Sequence, residues 1–400
     1  MTLRSRAHFV SFWLAAVAAV AGLLAPVPSF AQASAQELDG IPPPLPVDRS
    51  EFVRVVDDRE ARTLDFLIGP LELTSGMPHL RLPIQMAEVP VDGWLHGFEA
   101  IMEDASGAPI PMETLHHVNF IDPDKRELFS PIARRVIAAG RETSKQQIPG
   151  VLGYPLQAGD RFLISSMFAN PTDTDYADVF LRVRLHYSLE GDGLLEPRNV
   201  FPFYLDVMGP VGPKGFDVPP GRSARAWEGR PAVPGRILGI GGHLHDHAAY
   251  LRLVDVETGT VLWEAEPIED ESGRLVGVPT GEFWWQLGKE ITPDHTYRIE
   301  VVYDNPLDVP APDGGMGEIG GVVWVGKDVA WPAFDREDPR YLADLERTLT
   351  APERADHGHG GMDGMDGMDG MDGMDHGAMD HDAEAAPAAP QAEAHDHGSH

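Results

Sequence analysis

Apolar and polar side chains alternate without a break through Leu181-Arg182-Val183-Arg184-Leu185-His186-Tyr187, the period of a strand with one buried face. Runs of the same character occur at Asp65 to Ile68, Trp94 to Met102, His117 to Ile121, Arg161 to Phe168 and Phe201 to Val207, bounded by Gly, Pro, Asn or Asp. Beyond a Pro/Gly-dense stretch from Met208 to Gly221 they resume at Ala226 to Trp227, Arg236 to Ile240, His243 to Val256, Val261 to Glu266, Phe283 to Leu287, Tyr297 to Tyr303 and Gly321 to Val325. Short strands at this spacing predict an all-β protein built as two antiparallel sandwiches. One insert, Ile132 to Ala139, has the length and composition of a short helix. A second helix, about Pro339 to Leu349 with Tyr341, Leu342, Leu345 and Leu349 on one face, closes the folded part.

The two ends of the chain read differently. Arg4 and Arg6 precede an uncharged apolar run from Phe9 to Leu24 and a small-residue exit at Ser29-Phe30-Ala31, the layout of a cleavable secretory signal. Export to a secreted or periplasmic location is therefore expected, with no membrane span left after cleavage. The chain has no cysteine, which removes both disulfides and thiolate metal sites. From Ala351 onward Met-Asp-Gly recurs through Met362, Met365, Met368, Met371 and Met374, flanked by His357, His359, His376 and His381. That composition cannot bury a core, so a disordered tail that buffers metal ions loosely is expected. The expected division is a signal over 1–31, a leader over 32–49, sandwiches over 50–212 and 213–335, a helix over 336–350 and the tail over 351–400. With 31 basic against 63 acidic residues, nucleic acid is a poor partner and cations are good ones.

Metal-binding side chains stand out against this background. In a strand, positions i and i+2 share a face, so His243 and His245 converge on one ion, and His247 is one step further along the same alternation. Adjacent His116 and His117 diverge in a regular strand and need a bulge, twist or strand end to act together. His186 is a lone strand histidine. Met316 sits in Pro312-Asp313-Gly314-Gly315-Met316-Gly317, where flanking glycines let backbone approach closely. Imidazoles with a thioether shift the choice of metal toward copper.

Taken together, the runs Gly97-Phe98-Glu99, Met112-Glu113-Thr114-Leu115-His116-His117, Val183-Arg184-Leu185-His186-Tyr187, His243-Leu244-His245 and Met316 resemble the copper type II, ascorbate-dependent monooxygenases, which include peptidylglycine α-hydroxylating and dopamine β-monooxygenases. The resemblance spans about Leu64 to Trp324. It implies two jelly-roll-like sandwiches facing each other across an open cleft, each with one copper. His116, His117 and His186 match the ligands of the electron-donating copper, and His243, His245 and Met316 those of the oxygen-binding, catalytic copper. It further implies an external reductant such as ascorbate, O2 as co-substrate and hydroxylation of a C–H bond in a small molecule. Residues that clamp a peptide carboxylate in the family are replaced here by Gly241 and Glu318, and Glu318 instead suits a cationic amine or neutral polar substrate. Gly320, Arg184 and Val118 also depart from the pattern. Two other readings stand beside this one: a non-catalytic copper-binding or delivery protein, and a metal-free sugar- or protein-binding module.

Overall fold

The computed structural model describes residues 52–350 apart from Glu142, Ser272 and Gly273, so the expectations for the signal, the leader and the tail lie outside the described residues. Among those described, strands dominate. The exceptions are the helix Pro339–Thr350 and two single 3₁₀ turns, Met112–Thr114 and Trp284–Gln286.

The strand with perfect alternation behaves as its sequence dictates. Within Tyr176–Ser188, Val179, Leu181, Val183, Leu185 and Tyr187 are buried, while Arg182, Arg184 and His186 take the other face. Each apolar side chain buried this way contributes about 1.5–3 kcal/mol. This strand lies third in an eleven-stranded sheet whose order is Val53–Asp58, Thr63–Leu73, Tyr176–Ser188, Gly93–Asp104, Leu152–Leu156, Arg198–Asp206, Gly317–Trp324, Gly235–Leu244 and Gly281–Glu282, with Lys145–Gln147 and Lys289–Ile291 pairing at its sides. Neighbours are antiparallel except where Leu152–Leu156 meets Arg198–Asp206 in a short parallel contact.

Two further sheets cover this one. Met77–Arg81, Arg161–Asn170, Leu115–Arg126 and Ala133–Gly140, with Gln85–Glu88, form a five-stranded sheet. Its Phe120 and Phe162 meet Phe66 of the large sheet edge-on, at 5.1 and 6.2 Å, in the first core. Gly221–Gly229, Tyr297–Asn305, Ala248–Asp255 and Thr260–Ala265 form a four-stranded sheet over the second core, where Ile299 and Val301 pack with Ile237, Leu244, Ile319 and Val323. Both cores belong to one compact unit. Leu128 and Phe129 lie before the expected boundary at 212 yet sit in the second core, Phe129 meeting Phe203 at 5.9 Å and Tyr297 at 6.1 Å.

Several local expectations are corrected. Residues 132–139 are not helical: Ala133–Gly140 is a strand paired with Leu115–Arg126, since a short apolar run takes whichever form its neighbour can hydrogen-bond. Phe283–Leu287 is a 3₁₀ turn that Leu287 ends in the left-handed region, at φ 59°. The run His243 to Val256 is two strands, broken at His245 to His247, where His247 has φ 68°. In the helix Pro339–Thr350, Tyr341, Leu345 and Leu349 pack inward with Ile121 and Leu163, but Leu342 is exposed. Its place on the inner face is taken by Asp344, whose buried carboxylate holds Arg135 at 2.7 and 2.5 Å.

Candidate metal centre

His116 and His117 begin the strand Leu115–Arg126. On the neighbouring strand, Met167 pairs with His117 and the next residue, Phe168, pairs with Leu115. Two residues therefore advance on one strand while one advances on the other, which is a β-bulge carrying His116 as its extra residue. The bulge does what a regular strand cannot: the two rings turn toward each other, with Nδ1 atoms 2.9 Å apart. Burial pushes the His117 imidazole down to about 3, and the positive charges that His116, Arg81, His243 and His79 can carry push it the same way. Near neutral pH this ring is uncharged and offers a nitrogen lone pair.

The second pair is built from plain alternation. His243 and His245 sit at the end of Gly235–Leu244 with ring centroids 5.3 Å apart and planes at 90°. The ladder pairs His243 with Glu318 and Leu244 with Gly317, so the chain reaches Met316 as it passes His245. One hydroxyl fastens the two segments. Tyr303 Oη accepts the backbone N–H of His245 at 3.1 Å and that of Met316 at 2.9 Å, and donates to the Met316 carbonyl at 2.5 Å. One donor and two acceptor positions are thereby all used. Burial pushes the Tyr303 hydroxyl up to about 12, so it stays protonated and keeps its donor role.

His186 is placed elsewhere. It shares the outward face with Arg182 and Arg184, whose guanidinium groups hold Asp65 on the same surface at 2.5 and 2.8 Å. The first core lies between that surface and the sheet that carries His116 and His117. His186 therefore lies on the face of its sheet turned away from the first core, while His116 and His117 are carried by the sheet on the other side of that core. His247 is exposed and turned outward by its left-handed backbone.

Glu318 faces His243 across the ladder, as Asp206 faces Glu318 from the other side. Tyr204 Oη lies 2.7 Å from Glu318 Oε1 and 2.8 Å from Asp206 Oδ2, and a single O–H cannot serve both. Burial pushes the Asp206 carboxyl up, Lys214 at 2.9 Å pulls it back, and the Glu318 charge pushes it up again. A cation arriving at Glu318 would compete with the Tyr204 bond.

Neither His79 nor Tyr303 stands out in the sequence. Met77-Pro78-His79 has no ligand spacing, and Tyr303 lies within an ordinary apolar strand. The ring of His79 nevertheless meets that of His116 edge-on at 4.6 Å. Among the described residues, the trio whose ligand atoms all lie within 4.8 Å of one another is Asp255, Glu257 and His295, so the histidine centre is more open than this. That trio is already committed internally: His295 Nδ1 meets Asp255 at 2.8 Å, and Glu257 accepts the Thr296 N–H at 2.6 Å.

No family model matches the chain, and no curated protein matches it. Solved structures give distant likenesses. A chain of the Sulfolobus turreted icosahedral virus is 8% identical, covering 74% of this chain and 96% of that one at a TM-score of 0.29. A chain of the infectious bursal disease virus Gx strain is 10% identical, covering 70% and 75% at a TM-score of 0.22. PNGF-II is also 10% identical, covering 66% and 59% at a TM-score of 0.25. Scores this low carry no argument about what the chain does.

Proposed function

We propose that this protein is an exported, copper-dependent oxidoreductase that hydroxylates a C–H bond of a small substrate with O2 and an external, ascorbate-like reductant. The observation that carries the proposal is the grouping of donors at two places in the fold. His243 and His245 share a strand end with Met316 tied beside them through Tyr303, and a bulge turns the His116 and His117 rings together. Imidazoles with a thioether suit copper in both oxidation states. When bound, that metal supplies the one-electron chemistry with O2 that side chains lack.

The chain's own residues do the rest. Burial keeps His117 neutral, and Tyr303 holds the Met316 and His245 backbones in register. Glu318, engaged by Tyr204, offers a carboxylate beside His243 for an amine or polar substrate. The export half of the proposal rests on the amino-terminal pattern of basic residues followed by an apolar run.

A second reading, a copper-binding or delivery protein without turnover, is favoured by one observation: His186 faces away from the first core, on a different sheet from His116 and His117. Copper content and O2 uptake with ascorbate, measured on the full chain and on H117A and H243A after loosely held metal is stripped with a weak chelator, decide between them. Comparing parent with variant cancels the contribution of residues 351–400. Less copper in both variants, with ascorbate-dependent O2 uptake in the parent alone, is expected. Equal copper in all three overturns the metal reading, and a copper difference without O2 uptake leaves the delivery protein.

A further inference from the structure

We infer that the third imidazole of the amino-terminal centre is His79, and that the site takes copper through His79, His116 and His117; this rests on the copper reading above. The geometry comes from a second bulge. Along the strand Met77–Arg81, Leu80 pairs with Phe168 and Met77 with Asn170, so three residues advance where the neighbour advances two. The extra residue falls at Pro78–His79. On the other side of the same neighbour, His116 is the extra residue between Leu115 and His117. Two bulges thus flank one stretch of Arg161–Asn170, around Phe168.

The bulges explain how residues two strands apart can meet. Strands Met77–Arg81 and Leu115–Arg126 are separated by Arg161–Asn170, which puts their backbones about 9–10 Å apart. Bulges bend a strand and re-aim its side chains. Here Leu80, Phe168 and Leu115 stay in one row facing the first core, while the rings of His79 and His116 swing together to 4.6 Å. His116 in turn reaches His117, with their Nδ1 atoms 2.9 Å apart. His79 is half-buried. Three imidazoles on one sheet thus form a continuous row of ring contacts, His79 against His116 and His116 against His117.

The test measures Cu(II) affinity of the full chain by competition with a weak chelator, and counts coordinated imidazoles by pulsed electron paramagnetic resonance. The variants are H79A, the more conservative H79Q, H186A and H117A, and the thermal unfolding of each metal-free form checks the fold. H79A and H79Q are expected to weaken the amino-terminal site by on the order of tenfold to a hundredfold, a scale reached even by residues that only hydrogen-bond to a ligand. Both should lose one imidazole from the spectrum, while H186A matches the parent. Loss of that imidazole in H186A and not in the His79 variants overturns the inference and leaves the copper reading intact. So does a parent-like spectrum in all of H79A, H79Q and H186A while H117A alone changes. If H117A also binds as the parent does, the copper reading itself has failed.

Discussion

The two histidine groups use the same donor atoms but reach them by opposite backbone devices. In the carboxyl-proximal group, strict alternation puts His243 and His245 on one face, and a tyrosine hydroxyl fixes the neighbouring chain. In the amino-proximal group, alternation is broken: an extra residue on each of two strands brings His79, His116 and His117 together. Regular structure places donors cheaply but only at fixed intervals. Bulges place them anywhere, and the ladder loses a pairing each time.

The comparison can be broken most sharply at the level of the cores beneath the groups. Phe120→Ala in the first core and Phe203→Ala in the second should each cost about 3–5 kcal/mol. If the shared sheet makes the halves one cooperative unit, urea unfolding followed by tryptophan fluorescence and by circular dichroism shifts as a single transition for either variant. Two transitions, only one of which moves, would show halves that unfold separately.

Next in size is the latch. Tyr303→Phe keeps the ring and removes the hydroxyl, leaving the N–H groups of His245 and Met316 and a carbonyl without it. A loss of about 1–3 kcal/mol is expected. X-ray absorption of the Cu(I)-loaded chain should show weaker copper–sulfur scattering, whereas the nitrogen signature of the amino-proximal group stays put. Unchanged sulfur scattering would mean that Met316 needs no latch.

The smallest effects separate the halves by pH. On the first-half surface, burial pushes the Asp65 carboxyl up, but hydrogen bonds from Arg184 and Arg182 outweigh it and hold the carboxyl below its usual range. That stability is present above the ordinary carboxylate value and is lost as pH falls through the lowered one; the arginines stay charged throughout. In the second half, the hydrogen bond that His295 Nδ1 donates to the Asp255 carboxylate raises the imidazole above its ordinary value. Its contribution is complete below the ordinary histidine value of 6.5 and disappears as pH rises through the raised one. Asp65→Asn should therefore flatten only the acid limb of melting temperature against pH, while His295→Ala flattens the limb above the ordinary histidine value. A His295→Ala profile parallel to the parent between pH 6 and 9 would remove this distinction.

What was legible in the sequence follows the same division. The strand Tyr176–Ser188, the second histidine pair and the closing helix announce themselves because their periods are regular. The adjacency of His116 and His117 signalled that a bulge was needed but not what else it would bring. His79 was invisible, because a bulge on one strand meeting a bulge on another leaves no spacing to read. His186 is the opposite case. Its motif context is clear, yet the alternation around it puts Leu185 and Tyr187 inward and the imidazole outward. The segment at 132–139 was ambiguous locally, and only its partner strand decides it.

The parallel contact between Leu152–Leu156 and Arg198–Asp206 pairs only Arg198 with Leu152 and Asn199 with Gly153. Alone, so short a seam would act as a hinge. Phe129 works like a dowel, crossing from the first half and seated between Phe203 and Tyr297 of the second. The two cores are then held in a braced frame, in which the seated Phe129 ring opposes clam-like opening about that seam.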